Sequence, residues 1–260
     1  TVRRSVLGEA GKLLDLDRRV LVVTDDGVPP QYAKTVARQC KAPTVVTLPQ
    51  GEATKSLPYY AKLLHALLEN HFTRTDCVVA VGGGVVGDLA GFAAASFLRG
   101  VDFYNIPTTV LSQVDSSIGG KVAIDFDGIK NCVGAFYQPR AVLVDPQVLE
   151  TLPPRQVANG LAEAVKMALT FDASLFVLFE TEDPTAHLEE IIARSLQIKA
   201  NVVMQDEKES GLRRVLNFGH TVGHGIEAAG LQELYHGECV ALGMLPMCSE
   251  AVRARLLPVL

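Results

Sequence analysis

The chain has 260 residues, 48% of them hydrophobic and 20% charged, with a formal net charge of −5. That is the profile of a soluble globular protein, large enough for one big domain or two modest ones. An acidic balance without a Lys/Arg-rich run excludes a general nucleic-acid binder and makes any functional cations local; the apolar segments stop short of membrane-spanning length, no basic-then-apolar leader opens the chain, and five cysteines without C-x-x-C spacing read as reduced, buried thiols of a cytoplasmic protein.

Residues 19–24 form a buried-strand run ending in the turn Asp25-Asp26-Gly27. A helix over 30–40 leads to a second strand at 43–48, and a helix over 58–70 carries Leu63-Leu64 and Leu67-Leu68 at helical spacing. A third strand, 77–81, runs into Gly82-Gly83-Gly84-Val85-Val86-Gly87-Asp88, with helical Leu89 to Ala95 behind it. Strands and helices alternating at this size indicate a parallel α/β sheet, whose ligands sit beyond the carboxyl ends of the strands. Asp25 and the glycine loop both fall there. Glycines let a phosphate approach the backbone, and a helix start offers it unpaired N–H groups. The run is not G-x-G-x-x-G, so by itself it stays open between a nucleotide cradle and a steric turn. Gly51-Glu52-Ala53-Thr54-Lys55 reads either as a ribose contact or as a solvated, capped loop.

Residues 101–145 are less regular. A strand at 101–106 precedes the hydroxyl-rich turn Pro107-Thr108-Thr109, and Asp115-Ser116-Ser117-Ile118-Gly119-Gly120-Lys121 leads into a hairpin turning at Asp127-Gly128. A hairpin presenting Lys121, Lys130 and Asn131 near Asp115 would suit a phosphorylated ligand. From about 155 onward the patterns are helical, which places a domain boundary near 150. Helix 157–170 carries Glu163 and Lys166 on one face, helix 187–205 carries Lys199, and His236-Gly237-Glu238 opens the last helix.

His220 and His224 are four apart and share a helical face, with His236 a short loop away. With Glu163 they offer up to three imidazoles and one carboxylate, a set suited to Zn²⁺ or a similar ion. Spacing alone pairs His220 with His224. It equally allows two hydrogen-bonded helix histidines, and no local pattern establishes that Glu163 joins them.

Taken together, Gly51-Glu52-x-x-Lys55, Gly82 to Asp88, Pro107-Thr108-Thr109, Asp115 to Lys121, Lys130-Asn131, Gly160 to Lys166, Gly211-Leu212-Arg213, Leu216 to Thr221 and His236-Gly237-Glu238 span nearly the whole chain in one order. In that order they resemble the 3-dehydroquinate synthase family of sugar-phosphate cyclases. The resemblance implies a Rossmann-like α/β domain over 1–150 that binds NAD, then an all-α domain over 151–260 that holds metal and substrate and runs on for further helices in relatives. It implies conversion of 3-deoxy-arabino-heptulosonate 7-phosphate to 3-dehydroquinate and phosphate through transient oxidation, β-elimination, reduction, ring opening and an intramolecular aldol. It also implies NAD⁺, one divalent ion (Zn²⁺ or Co²⁺) and a homodimer, with no nucleic acid or membrane partner.

The resemblance assigns the metal to Glu163, His220 and His236, with His224 facing the substrate. Asp115 and Lys166 would flank the reacting hydroxyls. Lys121, Asn131 and His224 would hold the phosphate, with Arg99 entering from a second subunit, while Lys199, Arg213 and Asn217 would hold a carboxylate. The cofactor would take Asp25, Glu52, Lys55, Gly83, Gly84, Val85, Gly87, Asp88, Thr108, Thr109, Lys121, Lys130 and Thr151. Gly27 departs from relatives that carry a polar side chain beside the ribose.

Overall fold

The computed structural model describes residues 1–229 and 234–260. The chain divides into two compact units, the first made of Thr1–Ser112 and Ser116–Thr151, the second of Gln113–Asp115 and Leu152–Leu260. Among the described residues no helix is long and apolar enough to cross a membrane.

The first unit runs α1 (Ala10–Leu13), β1 (Arg19–Asp25), α2 (Pro30–Ala37), β2 (Ala42–Leu48), α3 (Leu57–Glu69), β3 (Cys77–Gly82), α4 (Gly84–Ser96), β4 (Asp102–Pro107), β5 (Lys121–Phe126), β6 (Ile129–Phe136) and β7 (Ala141–Val142). Its main sheet has the order β2-β1-β3-β4-β7, with every neighbouring pair parallel. Strand β3 is buried along its whole length, and β1 everywhere but its first residue. Covered on both faces, they read as continuous apolar runs rather than as alternation. The path from β1 goes outward to β2 and then back across to β3, so the topological switch lies between β1 and β3, and their carboxyl ends, Asp25 and Gly82, flank the crevice where such sheets take ligands. Leu63 and Leu67 of α3 and Leu89, Ala90 and Ala93 of α4 close the core against Leu21, Val78 and Phe103.

Two details differ from expectation here. Helix α4 begins at Gly84, inside the glycine run, because the Gly87 N–H already reaches the Gly83 carbonyl at 3.1 Å. A Cβ on Gly82 would lie 2.6 Å from Val86 Cγ2, so the strand-to-helix turn is this tight only with glycine. The sheet also gains β7, two residues long and too short to leave a periodic signature.

Strands β5 and β6 form a separate antiparallel hairpin. Asp127 and Gly128 both have positive φ, 51° and 77°, as the expected two-residue turn requires. Among the described residues β6 pairs only with β5, so its side chains lie largely open, and Cys132 is exposed rather than buried. Cys77 and Cys239 are buried, and Cys40 and Cys248 are partly covered.

The second unit is helical: α5 (Pro154–Phe171), α6 (Ala173–Thr181), α7 (Leu188–Gln205), α8 (His220–Ala228), α9 (His236–Met244) and α10 (Glu250–Leu256). Helix α5 is its spine, buried on every side from Asn159 to Ala168. Asp172 caps α6 through the Leu175 N–H at 3.1 Å and takes Arg194 of α7 at 2.7 Å, which ties those helices together. His236 opens α9, which is not the last helix. Pro246 follows it, and Ser249 caps α10 through the Val252 N–H at 3.4 Å.

Candidate functional site

Of the predicted cofactor residues, Asp25, Gly83, Gly84, Thr108 and Thr109 lie in the first unit at the carboxyl ends of β1, β3 and β4. Asp25 Oδ1 accepts from the Gly27 and Val28 N–H groups at 2.9 and 3.1 Å, which shapes the turn after β1. Burial raises its pKa, outweighing those two bonds. The Gly27 departure has a steric counterpart, since a Cβ there would lie 2.2 Å from the Gln50 carboxamide carbon. Gly51, Glu52 and Ala53 of the Lys55 motif are exposed, as a solvated loop requires, but Lys55 is 5% exposed. Its Nζ lies 3.1 Å from Asp88 Oδ2 and 3.2 Å from Glu52 Oε1. Burial alone would lower its pKa, but the two carboxylates together raise it.

The start of α4 carries no side-chain cap. Val85 and Gly87 lie in its first turn. The Thr108 N–H binds the Gly82 carbonyl at 2.9 Å, and Thr109 shares a 2.8 Å hydroxyl contact with Ser112. A Cβ on Gly84 would lie 3.1 Å from Ser116 Oγ, a buried hydroxyl with no hydrogen-bond partner among the described residues. Unspent N–H groups, bare glycine backbone and an orphaned hydroxyl fit a pyrophosphate of the NAD⁺ type. Ser116 lies inside a motif singled out from the sequence, yet nothing in the sequence marked it among its neighbours.

Other expected residues in this unit have local roles. Thr151 Oγ1 meets the Tyr32 hydroxyl at 3.0 Å and the Val148 carbonyl at 3.1 Å. Lys121, Lys130 and Asn131 are exposed on the hairpin, and the Asn131 N–H, at φ 54°, donates to Asp125 Oδ1 at 2.8 Å. Arg99 is exposed, in the left-handed turn after α4.

In the second unit a row of alternating charges runs through the interior. Glu163 and Lys166, one turn apart on α5, are each 1% exposed and directly paired. Lys166 Nζ also lies 3.4 Å from Asp115 Oδ2, and Lys199 of α7 pairs with Asp115 Oδ1 and donates to its carbonyl at 2.7 Å. Burial would raise the Asp115 pKa, but Lys199 and Lys166 hold it well below the usual carboxylate range. Burial lowers Lys199 despite Asp115, with Lys166 and Arg213 adding to the fall, whereas Glu163 and Asp115 overcome burial and raise Lys166. The row therefore holds its charges only as a set.

At the end of the row Glu163 turns Oε1, buried and without a hydrogen-bond partner among the described residues, toward His220 Nε2 at 3.5 Å and His236 Nε2 at 3.4 Å. Donors about 2.0–2.2 Å from a tetrahedral Zn²⁺ stand about 3.3–3.6 Å apart, so the orphaned oxygen and the two imidazoles fit a divalent ion. Burial lowers the His220 pKa; the Glu163 and Glu227 carboxylates overcome burial and raise that of His236. The pairing suggested by spacing is not the one that converges. His220 groups with Glu163 and His236, and the exposed His224 with Glu227 and His236. The ring centroids of His220 and His224 are 5.3 Å apart.

His236 is set from behind. The Gly237 N–H donates to Asn159 Oδ1 at 2.7 Å, and a Cβ on Gly237 would lie 1.9 Å from the Asn159 carbonyl oxygen. Arg155 grips Glu238 at 2.7 and 2.8 Å while its guanidinium lies 4.2 Å over the Tyr235 ring. The expected carboxylate binders are only partly open to a ligand. Besides the Lys199 pairing, Arg213 is 3% exposed and donates to the Glu207 carbonyl, and Asn217 donates to the Glu209 carboxylate.

Residues 45–159 match the 3-dehydroquinate synthase N-terminal family and residues 160–259 the 3-dehydroquinate synthase C-terminal family. The chain is 50% identical over 236 residues to the 3-dehydroquinate synthase of Latilactobacillus sakei, covering 88% of this chain and 66% of that protein. It is 46% identical over 249 residues to that of a Sulfurovum species, covering 94% of this chain and 71% of the other. Among solved structures, a 2-deoxy-scyllo-inosose synthase complexed with carbaglucose-6-phosphate, NAD⁺ and Co²⁺ superposes with a TM-score of 0.89 at 28% identity, covering 98% of this chain and 77% of that one. The chain thus spans about two thirds of the length of its sequence relatives.

Proposed function

Because the chain belongs to the 3-dehydroquinate synthase family, we propose that it carries that lyase activity, converting 3-deoxy-arabino-heptulosonate 7-phosphate to 3-dehydroquinate and phosphate, in the cytoplasm and as a homodimer. The observation that carries the reading is the Glu163–His220–His236 convergence backed by the buried row Lys166, Asp115 and Lys199. When bound, the divalent ion would polarise a substrate hydroxyl and NAD⁺ would take up and return a hydride.

The chain's own residues supply the rest. Glu163, His220 and His236 would hold the ion; the α4 start with Gly83, Gly84 and Ser116, together with Glu52, Lys55 and Asp88, would hold the dinucleotide. Lys166, fixed between two carboxylates, keeps its proton at Nζ and would steady an oxygen that gains negative charge. Asp115, kept ionised by two lysines, would accept a hydrogen bond from a second hydroxyl. Lys199 and Arg213 would supply the positive potential for a substrate carboxylate, and Lys121 and the partner's copy of Arg99 that for the phosphate, with Asn131 and His224 as its proposed hydrogen-bond partners. Burial of Glu163, Lys166, Lys199 and Arg213 keeps water from competing for their hydrogen bonds. Exposed Phe126, Ile129 and Phe136 on the hairpin are consistent with a second copy covering that face.

The decisive assay is phosphate release from the heptulosonate phosphate in the presence of NAD⁺ and Zn²⁺ or Co²⁺, with reduced cofactor followed at the same time. We expect stoichiometric phosphate and no net NADH. Preferential turnover of a sugar phosphate lacking the carboxylate would replace this reading with that of another cyclase, and accumulating NADH with that of a polyol dehydrogenase. Equilibrium sedimentation tests the dimer.

A further inference from the structure

His236 has a carboxylate at each ring nitrogen. Its Nε2 faces Glu163 Oε1 at 3.4 Å, and its Nδ1 faces Glu227 Oε2 at 3.7 Å. His220 has the same plan with a different partner, since its Nε2 faces Glu163 Oε1 at 3.5 Å and its Nδ1 meets the Phe218 carbonyl at 3.4 Å. Both rings thus turn Nε2 to the shared oxygen and Nδ1 to an acceptor behind. Glu227 sits on α8 two turns beyond His220 and therefore on the same face, so one helix supplies a donor and also the acceptor behind the other donor. The Glu227 side chain is 25% exposed and the His236 side chain 33%, so their approach is half-covered rather than freely solvated. Nothing in the function described above uses Glu227.

We propose that Glu227 is a positioning residue for the metal centre, accepting the Nδ1–H of His236 and so holding that ring in the tautomer whose Nε2 lone pair points at the ion. An imidazole can ligate through Nε2 only while that nitrogen is deprotonated, and an acceptor at Nδ1 selects this tautomer and fixes the ring plane. The separation of 3.7 Å is about 0.8 Å longer than an ordinary N–H···O bond. The backbone of His236 is already fixed by the Gly237–Asn159 bond, so the ring torsions are the freedom left for Glu227 to remove.

The inference rests on the metal reading, and the test separates the two. Co²⁺ is titrated into metal-stripped protein against a competing chelator while the visible d–d absorption of the bound ion is recorded. Wild type is expected to bind one equivalent. Glu227→Leu, which removes the acceptor, should bind one equivalent about 10- to 100-fold more weakly, with a displaced spectrum, and Glu227→Gln, which keeps an acceptor oxygen as the Phe218 carbonyl does for His220, should recover most of the affinity and the wild-type spectrum. Weakening with an unchanged spectrum, or no recovery by Glu227→Gln, would make Glu227 merely structural and overturn the proposal. So would Glu227→Leu binding as tightly as wild type. Two equivalents in wild type and one in Glu227→Leu would mean that His224, Glu227 and His236 hold a second ion, which overturns it as well. No binding by wild type would remove the metal reading itself, and the inference with it.

Discussion

Glu163 and Lys166 form an ion pair one helical turn apart on α5, with each side chain 1% exposed. Such a pair stabilises little against an apolar replacement, but losing one member leaves a bare charge in the interior. Lys166→Met should therefore destabilise the metal-free protein by about 3–5 kcal/mol, since Glu163 and Asp115 both lose their shared cation. Adding Glu163→Gln should return part of that loss by removing one stranded charge. Urea unfolding of the two variants checks this, and a single variant as stable as wild type would show that the pair is solvated.

Removing His220 takes one of three converging donors while leaving the charge row behind them intact. His220→Ala should elute from gel filtration without stoichiometric Zn²⁺ where wild type retains it, and should release no phosphate. Metal analysis of the eluted protein decides the point. Full occupancy would contradict the assignment of His220 as a ligand.

The legible parts of the chain are those where one local property dictates the outcome. Strands β1 and β3 stand out because burial on both faces demands unbroken apolar runs, and the hairpin turn because Asp127-Gly128 is the residue pair its positive φ values require. The start of α4 was misplaced because glycine signals a loop and the first turn of a tightly packed helix equally well. The donor set could not come from spacing. Glu163 is on α5 and the two imidazoles open α8 and α9, so their meeting is a product of tertiary packing, supplied beforehand only by family resemblance. Glu227 and Asn159 left no trace at all, because a carboxylate or an amide on a helix face looks like a solvated residue until the fold places something opposite it.

Gly237 tests the packing behind the metal site without touching a donor atom. A methyl group there would meet the Asn159 carbonyl oxygen at 1.9 Å, so the start of α9 must move and carry His236 with it. Gly237→Ala should weaken metal binding by about the 10- to 100-fold that loss of a supporting group costs. It should also destabilise the fold by about 1–3 kcal/mol, as overpacking does. Co²⁺ titration and thermal unfolding measure the two effects, and unchanged metal affinity would show that α9 is not fixed by this contact.

Asp206 links acid stability to the segment that carries Arg213. Its carboxylate accepts from the N–H groups of Ser210, Gly211 and Arg213 at 2.8, 2.7 and 3.0 Å and from the Ser210 hydroxyl at 3.0 Å. The Arg213 and Gly211 bonds lead in holding its pKa far below the ordinary carboxylate value. A carboxylate depressed on folding contributes stability above its unfolded pKa, about 3.9, and loses that contribution as the pH falls through the folded value. The stability difference between wild type and Asp206→Asn should therefore be constant near neutrality and shrink as the pH is lowered beyond about 4. Chemical unfolding at stepped pH reads it, and a difference that stays flat to the lowest accessible pH would show that the capping bonds do not depend on the charge. On the proposed reading of Arg213 as a carboxylate binder, the same variant should at neutral pH raise the Michaelis constant for the heptulosonate phosphate, because the 206–213 turn that carries Arg213 is loosened.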